Sequence, residues 1–147
     1  AALCCALTIF LAAGRGGSSP VSADARPDPK GVKSGEDRVA YLEGWGWQVK
    51  PEPLSVQELL IPAEMDDSYQ EYLAMQTRQG FDLTKYAGRR VKRYTYQVTN
   101  YPTGEEGVQA DLLICRNTVI GGEVLSPRLD GFLHGLEYPD SPAKNGL

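Results

Sequence analysis

The stretch from Gly88 to Ser126 contains three consecutive segments in which apolar and polar residues alternate. In the first segment, Tyr94 and Tyr96 have polar neighbours on both sides, a period of two that is typical of a half-buried β-strand. The second segment, Val108–Cys115, repeats this pattern, and the third is Val119–Ser126. The pattern predicts an antiparallel meander of three strands, and we expect the rest of the chain to pack against it.

Turn residues separate these segments. Pro102 lacks an N–H for a strand ladder and Gly104 adopts positive φ at no steric cost, so we expect the chain to turn there. Between the second and third segments, Asn117 tolerates the left-handed conformation that a tight hairpin needs. Gly121 and Gly122 interrupt the third segment, which predicts a β-bulge at that point.

Two amphipathic segments precede the meander. Ser34, with Asp37 three residues later, resembles a capping box, and the helix that it starts is expected to end at Gly44. A second helix is predicted over Ala63–Gln79, where an acidic start is followed by apolar residues at helical spacing. Its apolar stripe is expected to cover the sheet.

Three further apolar segments complete the predicted fold. Trp45–Val49 and Val56–Ile61 are predicted to be short strands, and a helix over Ser55–Leu60 is the alternative for the second of them. Apolar residues up to Leu136 predict a short terminal helix, with His134 on its polar face.

These elements predict an α+β domain between two ends of different composition. The domain has an antiparallel sheet of three to five strands that includes the meander Arg90–Ser126, two covering helices and a short C-terminal helix. Residues 1–14 are expected to be a membrane anchor or signal-peptide remnant, and residues 15–34 a flexible stalk. Residues 35–139 are expected to form the α+β domain, and residues 140–147 a disordered tail.

An uncharged apolar run, Leu3–Ala13, lies near the start of the chain. It is shorter than the about 20 residues that span a bilayer, and the chain starts without Met. We therefore interpret the run as part of a longer anchor or as the hydrophobic region of a signal peptide. A retained N-terminal anchor with the domain outside the cell membrane is favoured, and secretion after cleavage at the Ala23–Ala25 motif is the alternative.

Two groups of residues are candidates for ligand binding. Trp45 and Trp47 offer aromatic faces that pair with sugar rings, but packing of a helix on a sheet needs the same bulk and is the favoured interpretation. A basic cluster at the entry to the meander consists of Arg89, Arg90, Lys92 and Arg93. A solvated strand end that also protects a sheet edge is the favoured interpretation, and a site for an anionic polymer such as a wall glycan or teichoic acid is the alternative. The formal net charge of −4 argues against nucleic acid as the partner.

The sequence contains no catalytic or metal-binding constellation. His134 is the only histidine, Cys115 is the only cysteine beyond the N-terminal apolar run, and there is no phosphate-binding loop, so we predict no metal and no cofactor. The alternative is a hydrolase that uses paired carboxylates, for which the available acids are Asp66, Asp67, Asp82, Asp111, Glu123 and Asp130. Their spacing selects no pair, so the protein is not predicted to be an enzyme. Helix-start electrostatics explains Asp66 and Asp67 better.

Short motifs that combine glycine, proline and aromatic residues are distributed over Arg38–Leu136. They are Gly46–Val49, Ile61–Pro62, Tyr69, Tyr72, Gly80–Leu83, Tyr86, Gly88, Arg93–Tyr96, Asn100–Pro102, Gly121–Gly122 and Asp130–Phe132. Through these motifs the chain resembles domain of unknown function family 4830, a family of uncharacterised envelope proteins of Gram-positive bacteria.

The resemblance implies a membrane-tethered domain and assigns no catalytic residue. The expected function is that of a non-enzymatic binding or interaction module of the cell envelope. Its expected partner is an envelope protein or an anionic wall polymer, and contact with the membrane is expected through the N-terminus only. The sequence leaves the oligomeric state open.

Overall fold

The computed structural model describes residues 26–139, which form one antiparallel sheet, two α-helices and a short 3₁₀ helix. The helices are α1 (Gly35–Gly44), α2 (Asp67–Arg78) and the 3₁₀ helix Leu83–Tyr86. The strands follow the order β1-β2-β3-β4-β5 and are β1 (Ser55–Leu60), β2 (Arg90–Gln97), β3 (Gln109–Cys115), β4 (Thr118–Leu125) and β5 (Leu133–His134). The α+β class and the antiparallel meander are therefore confirmed. The predicted anchor with Cys4 and Cys5, and the predicted tail, lie outside the described residues.

The β3–β4 hairpin has the turn and the bulge that the sequence predicts. Arg116 and Asn117 form a two-residue turn with φ values of 50° and 66°. The register then shifts by one residue at Ile120, immediately before Gly121. Gly122 is required by close packing, because a Cβ there would lie 2.6 Å from the Leu136 side chain and 2.9 Å from a backbone oxygen of β3.

Both helices start where a side chain caps the backbone. The Ser34 hydroxyl accepts from the Asp37 N–H at 3.1 Å, and the Asp37 carboxylate accepts from the Ser34 N–H at 3.1 Å, which confirms the capping box. Helix α2 starts four residues later than Ala63 because Asp66 is its N-cap and accepts from the Tyr69 N–H at 3.2 Å.

The predicted strand Trp45–Val49 is wrong, since only its last residue forms a bridge, to Val98. The N–H groups of Trp45 and Trp47 instead both donate to the Leu42 carbonyl at 3.0 Å. The segment thereby satisfies the C-terminal carbonyls of α1, which a strand would leave without donors.

Both faces of the central strands β3 and β4 are buried, whereas the sequence predicted strands with one polar face. Leu112 and Leu113 are neighbours on β3, so their side chains point to opposite faces, and both are buried. Leu112 belongs to a core cluster that includes Leu42 of α1, and Leu113 belongs to a second cluster, against which Leu73 of α2 packs. The buried polar residues of β3 and β4 therefore face α2 rather than water.

Part of the predicted stalk is paired with the meander. The Val32 N–H donates to the Asn117 carbonyl at 2.9 Å, and the Val119 N–H donates to the Pro29 carbonyl at 2.8 Å. Val32 is buried in the same cluster as Leu42. Residues 29–32 therefore pack on the folded domain.

The predicted C-terminal helix is wrong, because Leu133–His134 forms β5 and pairs with the end of β4. Gly131 and Gly135 leave only three residues between them, too few for a stable helical turn. The edge of β4 offers backbone partners instead, and the Ser126 N–H donates to the Phe132 carbonyl at 2.9 Å. Within residues 26–139, no helix has the length and apolar character needed to cross a bilayer.

Candidate functional site

The predicted basic cluster lines a cavity at the start of β2. Arg89, Arg90 and Lys92 surround a volume of about 470 Å³, and the β3–β4 turn adds Arg116 and Asn117 to its wall. Sequence reasoning missed the last two, because they reach the cluster only through the pairing of β2 with β3. The predicted β3–β4 hairpin could have indicated them, because in an antiparallel meander the tip of this hairpin lies beside the start of β2.

The charge of this basic cavity is not neutralised by neighbouring acids. Glu58 is the single carboxylate among the lining residues, against four cationic side chains. In the part of the chain that the structure describes, the ion pairs shorter than 4.0 Å both belong to Arg128, at a different site. The guanidinium of Arg89 also donates to the buried Cys115 sulfur at 3.7 Å. The cavity is therefore a region of positive potential on an acidic protein.

The remaining predicted binding residues lie elsewhere. Arg93 donates to the Gln57 side chain and lines a separate groove on the opposite face of the sheet. Trp47 is fully buried, and its Nε1–H donates to the Leu136 carbonyl at 2.6 Å. Trp47 is therefore a core residue with no face open to a sugar ring. Trp45 is half-buried and lines a third cavity.

This third cavity has a volume of about 610 Å³ and includes His134 and Tyr101. The ring of His134 contacts the Gly135 carbonyl through Nδ1 at 2.7 Å and the Tyr101 hydroxyl through Nε2 at 2.9 Å. A carbonyl only accepts, so Nδ1 carries the proton and neutral Nε2 accepts from Tyr101. Burial lowers the pKa of His134, and the backbone bond to Gly135 opposes this in part. His134 is thus held as a neutral ring beside Phe132, with ring centroids 5.4 Å apart.

Two of the candidate acids meet in the sheet. Asp111 on β3 and Glu123 on β4 are register partners, so their side chains lie side by side on the face toward α2. Both are buried, with 5% and 3% of their surface exposed. The Thr95 hydroxyl donates to Asp111 at 2.6 Å, and Tyr72 and Gln76 of α2 donate to Glu123 at 2.8 Å and 3.1 Å.

The environment of Glu123 favours its protonated form. Burial, and then the neighbouring charge of Asp111, raise the pKa of Glu123 from its ordinary value of 4.5 to about 7. The hydrogen bonds from Tyr72 and Gln76 stabilise the charged form and oppose the rise. Burial and the charge of Glu123 also raise the pKa of the Tyr72 phenol, which therefore stays a donor.

A groove of about 390 Å³ opens above the acid pair. Its lining includes Leu54, Leu133 and Arg93 in addition to the two acids. About half of the surface of each leucine is exposed, 52% in both cases. The acids therefore lie in a concave site that combines a few leucines with mostly polar side chains, among which Arg93 is the cation.

The other candidate acids have structural roles at turns and helix starts. Asp66 caps α2, and Asp82 caps the 3₁₀ helix by accepting from the Thr84 N–H at 3.0 Å. The bonds from Thr84 lower the pKa of Asp82. Asp130 lies 3.7 Å from the Arg128 guanidinium. No group of three or more His, Cys, Asp or Glu side chains within residues 26–139 is arranged to hold a metal ion.

The family model described as "Domain of unknown function (DUF4830)" matches residues 41–124, more than half of the chain. The chain belongs to the DUF4830 family. The matched region extends from α1 into β4, so the DUF4830 domain includes the strands that carry the acid pair and the residues of the basic cavity. Comparison with curated proteins and with solved structures finds no match. Membership of DUF4830 therefore brings no known activity.

Proposed function

We propose that the protein is a non-enzymatic module of the cell envelope, tethered to the membrane at its N-terminus, that binds an anionic wall polymer in the basic cavity. The apolar run Leu3–Ala13 and the likeness to envelope proteins support the location. The observation that carries the binding function is the cavity itself, in which four cationic side chains face one carboxylate.

The chemistry of the cavity fits phosphate or carboxylate groups along a polymer. Arg89, Arg90 and Arg116 each present a planar guanidinium that donates two parallel hydrogen bonds to an oxyanion. Asn117 adds an amide donor at the turn. Because the cavity is open and the protein as a whole is acidic, a long polyanion is bound locally and repelled elsewhere. We expect the affinity to fall as the salt concentration rises.

The test is sedimentation of the full chain with isolated cell walls that retain their teichoic acid. We expect Arg89→Glu combined with Arg116→Glu to weaken binding by about tenfold or more, since each charge-assisted hydrogen bond contributes roughly 1.5–3 kcal/mol. Lys50→Glu is the matched control, because Lys50 lies by the far end of β2, where its N–H donates to Gln97. Equal binding by all variants, or undiminished binding to walls stripped of teichoic acid, would contradict the proposal.

A hydrolase that acts on wall polymer is the second candidate, and the acid pair favours it. The protonated carboxyl of Glu123 lies beside the Asp111 carboxyl in a groove, and a protonated acid next to a second carboxyl is what acid–base catalysis needs. Their direct contact is closer than the separation of about 5–10 Å between the carboxyls of glycosidases, which is why this proposal ranks second. If it is right, wall fragments released by the full chain will disappear with both Glu123→Gln and Asp111→Asn. Release that survives both substitutions would exclude the pair.

A further inference from the structure

Glu58 is the single carboxylate among the residues that line the basic cavity. It lies on β1, the edge strand of the sheet, and its register partner on β2 is Lys92. Register partners of an antiparallel pair share a face of the sheet, and neighbouring strands are about 4.8 Å apart. The Glu58 carboxylate therefore borders the cavity from one side, one strand away from Lys92.

The cations of the cavity lie over β2 and on the side away from β1. Arg90 is two residues from Lys92 on β2, so both side chains point to the face that carries Glu58. Arg116 is in the β3–β4 turn, and β3 pairs with the side of β2 that faces away from β1. The cavity thus consists of a negative rim at β1 and a larger positive region.

The charge of Glu58 is not neutralised by an ion pair. Among the described residues, the ion pairs within 4.0 Å all belong to Arg128, so Lys92 is farther than this from Glu58 although the two are register partners. An ionised carboxylate accepts hydrogen bonds and cannot donate them, so it attracts a donor group and repels a second anion. A ligand that fills the cavity is therefore favoured if it places a donor, and not an anion, beside Glu58.

We propose that Glu58 determines which polyanions the basic cavity accepts, and that it selects polymers whose phosphate groups are separated by polyol units with hydroxyl groups. A phosphate binds to Arg90, Lys92 and Arg116, and a hydroxyl of the adjoining polyol donates to the Glu58 carboxylate. In inorganic polyphosphate the phosphates are joined directly, so an anionic oxygen lies beside Glu58 instead. Glu58 acts only on what the basic cavity binds, so this role rests on the proposed function.

A neutral hydroxyl suits the position beside Glu58 better than a cationic group does. Four cationic side chains line the same cavity, and they repel a further positive charge. A hydroxyl donates a hydrogen bond to the carboxylate without this repulsion. Glu58 therefore adds selectivity among anionic polymers and leaves the cavity a site for anions.

The experiment is calorimetric titration of the full chain with poly(glycerol phosphate) and with inorganic polyphosphate of similar length, at one salt concentration. The measured quantity is the ratio of the two affinities. We expect Glu58→Gln to shift this ratio by at least about threefold toward polyphosphate, because the repulsion of a neighbouring anion is removed. Glu106→Gln is the matched control, since it removes the same charge from an exposed position in the β2–β3 loop. We expect the control to leave the ratio unchanged.

Glu58→Asp tests whether the carboxylate itself is responsible. It keeps the negative charge and the acceptor atoms, so we expect the ratio to stay within about twofold of that of the wild type. An equal change in affinity for both polymers in Glu58→Gln, an equal shift of the ratio in Glu106→Gln, or a Glu58→Asp variant that behaves like Glu58→Gln would each overturn the role of Glu58. These three outcomes leave the cavity as a polyanion site, whereas absence of wild-type binding to both polymers would overturn the proposed function as well.

Discussion

Replacement of Trp47 by alanine is expected to lower the free energy of unfolding by about 3–5 kcal/mol, the largest single effect that the structure implies. Trp47 has no exposed surface and packs in the cluster that contains Tyr96 and Leu112. Its ring stacks on Tyr101 at 5.7 Å and lies 4.6 Å from the ring of Tyr138. The substitution therefore leaves a cavity where α1, the β2–β3 loop and the C-terminal segment meet.

Urea denaturation followed by circular dichroism measures this loss. Trp45→Ala is the matched control, because Trp45 is half-buried and its side chain borders an open cavity, so water fills the space that it leaves. We expect Trp45→Ala to lower the free energy of unfolding by about 1 kcal/mol. Similar losses for the two variants would show that Trp47 does not hold the core together.

Trp47→Phe separates packing from hydrogen bonding. The phenyl ring keeps most of the apolar contact but cannot donate to the Leu136 carbonyl, which the indole reaches at 2.6 Å. Leu136 is fully buried, so its carbonyl loses a partner that water does not replace. We expect Trp47→Phe to lower the free energy of unfolding by about 1–3 kcal/mol, measured by the same urea denaturation.

The stability of the fold is expected to decrease as the pH rises from about 4.5 to 7, because of Glu123. The pKa of Glu123 is about 7 in the folded protein, against an ordinary value of 4.5. Between these values the folded state holds a proton that the unfolded state has lost, so unfolding releases it and becomes easier at higher pH. The stabilisation is complete below pH 4.5 and is lost as the pH passes 7. The difference between the folded and ordinary pKa values of Glu123 corresponds to roughly 3 kcal/mol in the free energy of unfolding.

Glu123→Gln isolates this effect. The amide is neutral at every pH, and its oxygen accepts from Tyr72 and Gln76 as the protonated acid does. We expect the variant to be more stable than the wild type by about 3 kcal/mol at pH 8 and equally stable at pH 4.5. The measurement is urea denaturation at a series of pH values. Glu106→Gln, at an exposed carboxylate in the β2–β3 loop, is the control and is expected to change little.

The comparison of wild type with Glu123→Gln also removes the contribution of His134. The pKa of His134 is lowered in the fold, so its contribution to stability increases as the pH rises, in the direction opposite to Glu123. Since both proteins retain His134, their difference reports Glu123 alone. A difference that does not grow between pH 4.5 and pH 7 would show that Glu123 is charged in the folded state.

The acid pair shows how much of the candidate site can be predicted from the sequence. A two-residue turn at Arg116 and Asn117, followed by a bulge before Gly121, places Asp111 opposite Glu123. The sequence predicts a tight hairpin and a bulge near these positions, but not the length of the turn or the bulged residue, so it does not fix which residues pair. The sequence predicts that α2 covers the sheet, but it does not predict that Tyr72 and Gln76 of α2 donate to Glu123. These hydrogen bonds make the burial of two acids tolerable.

Local chemistry in the sequence determined the capped starts of the helices, the tight hairpin, the bulge and the meander, because each depends on residues within a few positions of one another. Only the tertiary structure decided that both faces of β3 and β4 are covered, that Trp47 rather than Trp45 is the fully buried tryptophan, and that Leu133–His134 is a strand. The first two features depend on residues far apart in the chain, such as Gln79, which donates to the Gly122 carbonyl, and Trp47, which donates to the Leu136 carbonyl. Local propensity carries no information about such distant contacts. Where the local propensity of a segment is weak, its conformation is determined by the backbone groups and apolar side chains that the rest of the fold places beside it.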